Sequence, residues 1–570
     1  MRLTGWLMAL ALVAACSATD DPTTFAAPDE PAPASPMPAT VRAQPVPAPP
    51  ENPRSPNIVL VLMDDFSMDL LQTMRSAERM QRLGASYRHA YVVDSLCCVS
   101  RASLLTGQYP HQTGVLTNTA NTPNRFGPVG GWEAFDTYGN GRRSVNVRLR
   151  DAGYRTGYIG KYLNQYELRP NQPTPVPPPG WTDWQVFFGS AYDGWDFWST
   201  ETRDDGTVVP RFHEAAPAWA PDVEKDATYA TNVMADQALE FIEDSAEDGS
   251  PYFLEIAPFG PHARVNPYPH YEGDPRYPPA FADRPGHGRK GGNCGLVRCA
   301  DLDIEDLVGF DDDRTDNAPR WKDGTVAPAW RTNEQRLTRG MAVSGLRNRA
   351  RMVASIDRMV TDVLDAVDDN TYVVLTSDNG FHLGQHQLGG GKGTPYESDV
   401  HVPLLVVGPG VEPGERQEMV SNLDLAPTFE HLAGLEPARY RSGLSFVPTL
   451  RDQRINRRGH VVFEHTWAPT LGSDPDRGYA GGTLDIIPSY VAARNRKGLL
   501  VRVDLDNSWE GTRYAWEFYD YREDAFERRN SFADPDNAEE ITRLRGVIDR
   551  FDRCAKHTRN KAVPSHCRWL

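Results

Sequence analysis

The chain has 570 residues, a formal net charge of −17 and an isoelectric point near 5.3, enough length for one large domain and a smaller one, each with its own core. That acid excess excludes a nucleic-acid partner, whose phosphates most of the surface would repel, and obliges any anionic substrate to meet a local basic pocket. A mean hydropathy of −0.54, with no long apolar run beyond the N-terminus, excludes a bundle of membrane spans.

Met1 and Arg2 precede an apolar stretch from Leu3 to Ala15 that is too short to span a bilayer and ends in small residues, so residues 1–15 read as an export signal. Val13-Ala14-Ala15-Cys16 resembles a bacterial lipobox, in which Cys16 is acylated and begins the mature chain; the alternative is an ordinary cleaved signal with Cys16 incidental. Either way the chain is expected to be exported, as a lipoprotein touching the membrane through its lipid alone or as a secreted protein. Residues 16–56 are rich in Pro, Ala, Asp, Glu and Thr and almost devoid of large apolar side chains, which predicts an extended tether. Outside the cytoplasm cysteines pair, and proximity makes Cys294 with Cys299 and Cys554 with Cys567 the disulfide candidates among the seven cysteines.

Asn57–Met63 is a continuous run rich in β-branched residues and reads as a central strand covered on both faces. It ends in Asp64-Asp65. Two adjacent carboxylates at the end of a buried strand repel each other unless a cation lies between them, and oxygen ligands suit Ca²⁺ or Mg²⁺. Met68 to Leu83 has helical apolar spacing closed by Gly84. In the segment from Cys97 to Gly107, a thiol near a helix N-terminus and Arg101 four residues on both favour an anion; a buried cysteine pair beside a capping Ser100 is the plainer alternative. Val147–Ala152 reads as a helix, and Lys161 follows Gly160 at the end of the next strand. Ala227–Glu247 reads as an amphipathic helix and Pro251–Ala257 as a strand leading to Pro261-His262, a histidine able to carry a proton either way. Ala263 to about Asn333 is rich in Pro, Gly, Asp and Arg, with little periodicity, and predicts an irregular excursion over the mouth of a site.

Leu346 to Val367 has strong helical periodicity, and Thr371–Ser377 is a second buried strand ending in oxygen donors, Asp378-Asn379. Parallel strands ending at one edge bring both donor pairs to a single cation. Gly389-Gly390-Gly391-Lys392-Gly393 is expected as a flexible loop carrying Lys392, while His382 and His386 are candidates for substrate contact. Val420 to Thr428 reads as the start of a helix. Strand-like runs at Gly459–Phe463 and Tyr490–Ala493 predict a smaller antiparallel subdomain over residues 452–570, following a main domain over 57–451. The alternation of strands and helices in that main domain predicts an α/β fold, a large mixed and mostly parallel sheet flanked by helices.

Cys97-Cys98-Val99-Ser100-Arg101 through Leu105-Thr106-Gly107 resembles the type I sulfatase motif Cys-x-Pro/Ala-Ser-Arg-x-x-x-Leu-Thr-Gly, with Val99 as the departure. Asp64-Asp65, Gly160-Lys161, Pro261-His262, Asp378-Asn379 and Lys392 resemble that family's other motifs and occur in the same order. The resemblance implies the alkaline phosphatase-like fold and a hydrolase of sulfuric esters in which Cys97 is oxidised to formylglycine by a formylglycine-generating enzyme. It further implies Ca²⁺, or Mg²⁺, held by Asp64, Asp65, Asp378, Asn379 and the residue at 97. Arg101 and Lys161 would stabilise the attacking oxygen, and His262 and Lys392 would bind sulfate and protonate the leaving alcohol. Gly160-Lys161-Tyr162-Leu163-Asn164 resembles the branch containing N-acetylglucosamine-6-sulfatase and implies a sulfated carbohydrate substrate, a 6-O-sulfated amino sugar of a glycosaminoglycan type. Two alternatives stay open: a phosphonate or phosphodiester hydrolase of the same superfamily, and a non-catalytic glycan-binding lipoprotein in which Cys97 is not converted.

Overall fold

The uncharged run Asn57–Met63 forms strand β1, with alternate side chains buried on opposite faces. In this computed structural model the residues described are 41–45, 55–119, 127–167, 176–312, 317–330, 336–469, 471–472, 474–477, 484–507, 513–555, 563–564 and 567. The expected signal segment, Cys16 and most of the expected tether lie outside them. Strands β2 (Ala85–Tyr91), β3 (Arg155–Lys161), β4 (Asp183–Phe187), β5 (Phe197–Thr202), β6 (Val208–His213), β7 (Tyr252–Ala257) and β8 (Thr371–Ser377) follow. After a short ribbon of β9 (His382–Leu383) and β10 (Gly390–Gly391) come β11 (Leu404–Val407) and β12 (Gly414–Ser421). Ten of these strands make one sheet in the order β12-β2-β11-β8-β1-β7-β3-β4-β5-β6.

β8, β1, β7, β3 and β4 run parallel, so the residues that follow them emerge at one edge. Met63 lies opposite Ser377, which brings Asp64-Asp65 beside Asp378-Asn379. Val59, Val61 and Met63 pack with residues of helices Ala230–Asp248 and Arg339–Ala366, while Ile58, Leu60 and Leu62 pack with residues of helices Cys97–Thr106 and Leu425–Leu432. Both faces are therefore dry from Ile58 to Met63, as a strand with apolar residues at every one of those positions requires. A separate antiparallel sheet of β13 (His460–His465), β14 (Tyr490–Asn495), β15 (Gly498–Asp504) and β16 (Tyr514–Asp520) is covered by helix Ala538–Cys554. Cys294 is bonded to Cys299 and Cys554 to Cys567. Among the described residues no helix is long and apolar enough to cross a membrane.

Of the expected helices, that over Ala227–Glu247 is Ala230–Asp248, with Ala227 ending a separate short helix, and that over Leu346–Val367 starts already at Arg339; four other elements differ more in kind. The segment from Met68 to Leu83 divides into a 3₁₀ turn, Met68–Thr73, and a helix, Arg75–Leu83, because Met74 is extended at φ −93°, ψ 121°. Val420 and Ser421 end a strand rather than start a helix; Ser421 caps the turn Asn422–Asp424, and the helix begins at Leu425. The glycines before Lys392, expected as a flexible loop, are buried, with Gly391 paired to His382. Within the segment expected as a tether, residues 41–45 lie along the sheet instead: Ala43 donates to the Gly206 carbonyl and Val208 to that of Val41, and Val41 and Ala43 are buried.

Gly160 shows how tightly the strand ends are set. It faces Ala257 across β3 and β7 with φ 109°, and a Cβ there would lie 2.2 Å from the Ala257 carbonyl oxygen. A Gly160→Ala protein is expected to lose about 3 kcal/mol or more of stability in a denaturant melt, since both the φ and the contact forbid a side chain.

Candidate active site

β1 delivers Asp64 and Asp65 to the edge of the sheet and β8 delivers Asp378 and Asn379. Asp65 adopts φ 60°, the left-handed region that costs an L-residue strain. Arg349 of helix Arg339–Ala366 holds that turn, donating to the Asp65 carbonyl and, at 3.0 Å, to Ser67 Oγ. The Asp65 amide donates to Asp378 Oδ1 at 3.2 Å, and Asn379 Nδ2 donates to Asp65 Oδ1 at 2.7 Å.

Helix Cys97–Thr106 points its N-terminus at this group. Cys97 Sγ lies 3.4 Å from Asp64 Oδ1 and 3.8 Å from Asp65 Oδ1. Ser100 is inside the helix rather than capping it, accepting from Asn422 Nδ2 at 2.9 Å. One turn after Cys97, Arg101 pairs with Asp378 at 2.8 Å and donates to the Lys161 carbonyl at 2.7 Å. Lys161, at the end of β3, pairs with Asp64 at 2.7 Å. From the β9–β10 ribbon, Lys392 reaches Asp65 Oδ1 at 2.6 Å and Cys97 Sγ at 2.7 Å. His262 follows β7. Its Nδ1 stands 2.6 Å from the Ala263 carbonyl, which only accepts, so Nδ1 carries a proton and Nε2 faces the site. All these side chains are buried.

Burial works against every charge here, and the neighbours decide the outcome. Lys392 and His262 outweigh burial at Asp65 and hold its carboxyl below the ordinary range, as Arg101 and Lys161 do for Asp378. At Asp64 burial wins, Lys161 offsetting only part of it, and the carboxyl is pushed up. Burial and the Asp64 carboxylate push the Cys97 thiol well up, so an unmodified thiol here stays protonated near neutral pH and is a poor nucleophile. At His262 burial is outweighed by Asp65 and Asp64, which hold the imidazole pKa above its usual value.

Oxygen atoms of Asp64, Asp65 and Asp378 and Cys97 Sγ all lie within 4.8 Å of one another, a group that could hold a metal ion. Asp65 Oδ2 and Asn379 Oδ1 are buried with no hydrogen-bond partner among the described residues. A buried acceptor left unpaired costs about 1–3 kcal/mol, and a hard divalent cation satisfies several at once, so the donor set fits such an ion.

The family model for sulfatases matches residues 56–435, more than half of the chain, and contains every group just described. The chain belongs to the sulfatase family. It is 28% identical over 521 residues to the N-acetylglucosamine-6-sulfatase of Homo sapiens, covering 87% of this sulfatase-family chain and 82% of that protein. It is 29% identical over 409 residues to an extracellular sulfatase SULF-1 homolog of Drosophila melanogaster, covering 70% of the chain but only 31% of that longer relative. A protein solved in complex with its substrate D-glucosamine-2-N,6-O-disulfate shares the fold at a TM-score of 0.59 and 20% identity, with 90% of this chain and all of that one covered.

Two residues that sequence reasoning missed lie against this site, Asp476 from beyond the residues the family model matches. Asp476 Oδ1 accepts from Lys392 Nζ at 3.1 Å and pairs with His262 Nε2 at 3.0 Å, while its Oδ2 accepts from Asn118 Nδ2 at 2.7 Å. Asn118 Oδ1 in turn accepts from the Cys98 amide. An Asp-Pro-Asp run among glycines reads as an exposed turn, and nothing in its local pattern signals a carboxylate delivered from a distant part of the chain. His382, expected among the substrate contacts, has a different setting. Its Nδ1 lies 2.9 Å from Asp399 Oδ1, and its backbone pairs with Gly391, so it braces the ribbon that carries Lys392. His386 packs on the Tyr396 ring at 4.2 Å.

Proposed function

We propose that the protein hydrolyses sulfate monoesters of an exported or extracellular glycan, with a 6-O-sulfated amino sugar as the preferred unit and formylglycine at position 97 as the nucleophile. The single observation that carries this reading is the convergence on Cys97 of Asp64, Asp65, Asp378 and Asn379 with Arg101, Lys161, His262 and Lys392. Identity to N-acetylglucosamine-6-sulfatase along most of both chains supports the choice of sugar.

In this reading Asp64, Asp65, Asp378 and Asn379 hold a divalent cation, Ca²⁺ or in its place Mg²⁺. Such an ion supplies positive charge for the sulfate oxygens and for the oxygen that attacks sulfur. Formylglycine, which a formylglycine-generating enzyme would make from Cys97, would supply as its hydrate two hydroxyls on one carbon, one able to attack sulfur and the other able to release the sulfate afterwards. A serine hydroxyl lacks the second oxygen and would stop after one turnover. Lys392 Nζ at 2.7 Å from Sγ stands where a hydrogen bond to oxygen is ordinary.

The chain's own residues do the rest. Arg101 is fixed by Asp378 and the Lys161 carbonyl, and its Nη2 is buried with no partner among the described residues, leaving a donor for the attacking oxygen. Lys161, held by Asp64, adds positive charge beside it. Lys392 binds a sulfate oxygen, and His262 gives its Nε2 proton to the departing alcohol. Export with a lipid on Cys16 completes the proposal, placing the enzyme at the cell surface among polymeric substrates.

Turnover of N-acetylglucosamine-6-sulfate against a phosphodiester and a phosphonate monoester tests the reading. The expected result is a kcat/KM at least ~10²-fold higher for the sulfate ester. A higher value for either phosphorus substrate overturns it.

A further inference from the structure

Asp476 sits where no part of the proposed chemistry uses it. Its two oxygens take hydrogen bonds from Lys392, His262 and Asn118, which is how a tetrahedral oxyanion would be held. It is only 2% exposed, and Cys97, Lys392 and His262 are no more than 1% exposed. With this carboxylate in place, an ester has no approach to the residue at 97. Pro475, next to it, lines a cavity of about 230 Å³ shared with Lys161, Asn164 and Tyr192, so the same segment walls off space beside the nucleophile.

We propose that the segment Asp474–Arg477 is a displaceable plug whose Asp476 carboxylate stands in for the sulfate of the substrate, and that the ester enters by exchanging with it. This rests on reading Lys392 and His262 as the sulfate-binding groups. Charge makes the exchange balanced. Replacing the Asp476 carboxylate by one sulfate monoester, each carrying a single negative charge, leaves the charge facing Lys392 and His262 unchanged. Lys392 and His262 therefore keep an anionic partner in both states, which avoids the cost of leaving a buried cation unpaired. Asp474 keeps the plug from binding too well. Its carboxylate is buried behind Asp476, accepting from the Asp476 amide at 3.0 Å, and the two like charges repel. A ligand that needs the plugged site open binds with an apparent affinity reduced by the open fraction.

The test compares wild-type protein with Asp476→Ala and Asp476→Asn, using inorganic sulfate as the probe. Sulfate affinity is read by calorimetry and by the sulfate-induced rise in Tm, neither of which requires turnover. The plug predicts sulfate bound about tenfold more tightly by Asp476→Ala, an intermediate value for Asp476→Asn, and a KM for the sulfated sugar that falls in parallel while kcat does not fall. In the wild type, hydrogen exchange at the Asp476 amide should accelerate when sulfate is added. Equal or weaker sulfate binding by Asp476→Ala overturns the plug, as does a loss of kcat at constant KM, which would make Asp476 a participant in the chemistry. Failure of the underlying reading looks different: wild-type protein that turns over no sulfate ester, whatever its affinity for the free anion.

Discussion

Cys97→Ala protein is expected to fold normally and to release sulfate from N-acetylglucosamine-6-sulfate at least ~10⁴-fold more slowly than the wild type. The residue is buried at the N-terminus of its helix, and alanine keeps the helix while removing a side chain that only the site uses. What remains is the binding geometry of Lys392, His262 and Arg101, which orients an ester but offers no attacking atom. A Cys97→Ser protein separates two explanations. Serine supplies an oxygen to Lys392 and Asp64, so one equivalent of alcohol is released per protein molecule and turnover then stops. Steady turnover by the serine protein would show that a single hydroxyl suffices and that the aldehyde has no role. The measurement is a burst experiment, following alcohol and sulfate separately.

Asp65→Asn protein is expected to lose about 10³-fold in kcat/KM, with EDTA-treated wild type showing a loss of the same order that added Ca²⁺ reverses. Asp65 is at the crossing of every network in the site: Lys392 at 2.6 Å, Asn379 at 2.7 Å and His262 at 3.6 Å all meet its carboxylate. Asparagine preserves the shape and one of the two acceptor oxygens, so Lys392 is not left without an oxygen, but one negative charge is gone from the proposed cation-binding set. An alanine there would confuse the result, because removing one partner of a buried ion pair costs about 3–5 kcal/mol of folding stability. Rates restored by Ca²⁺ in the wild type and not in Asp65→Asn place the loss at the ion. An EDTA-treated enzyme of full activity would contradict the assignment of these oxygens.

Legibility followed local physics. Asn57–Met63 and Thr371–Ser377 were readable to the residue, because strands buried on both faces leave an uncharged, largely apolar run and the paired oxygen donors Asp64-Asp65 and Asp378-Asn379 mark where each stops. The mostly parallel sheet followed from strand–helix alternation, and the meeting of the two doublets from the shared strand direction. Lys161, His262 and Lys392 were legible only through motif likeness, since one lysine after a glycine has no meaning until the fold brings it beside Asp64 or Asp65. Asp476 and Asn118 were not legible at all. Each gains its setting from residues far away along the chain, Asp476 from Lys161, His262 and Lys392 and Asn118 from Asp476 itself. The glycines around Lys392 misled in the opposite direction. Their composition signals freedom, whereas Gly390 and Gly391 serve to pack a ribbon against buried neighbours. Met74 shows the remaining limit: periodicity carries on through a single extended residue that divides one expected helix in two.

The central claim is that an aldehyde at position 97, within this ring of cations and oxygen donors, performs the reaction. The mass of the tryptic peptide His89–Arg101 from catalytically active protein tests it most directly. Preparations made with and without a formylglycine-generating enzyme should show sulfate release rising in proportion to the fraction of peptide carrying the aldehyde mass, along a line through the origin. Full sulfate-ester turnover from protein in which that peptide carries only an intact thiol would contradict the account.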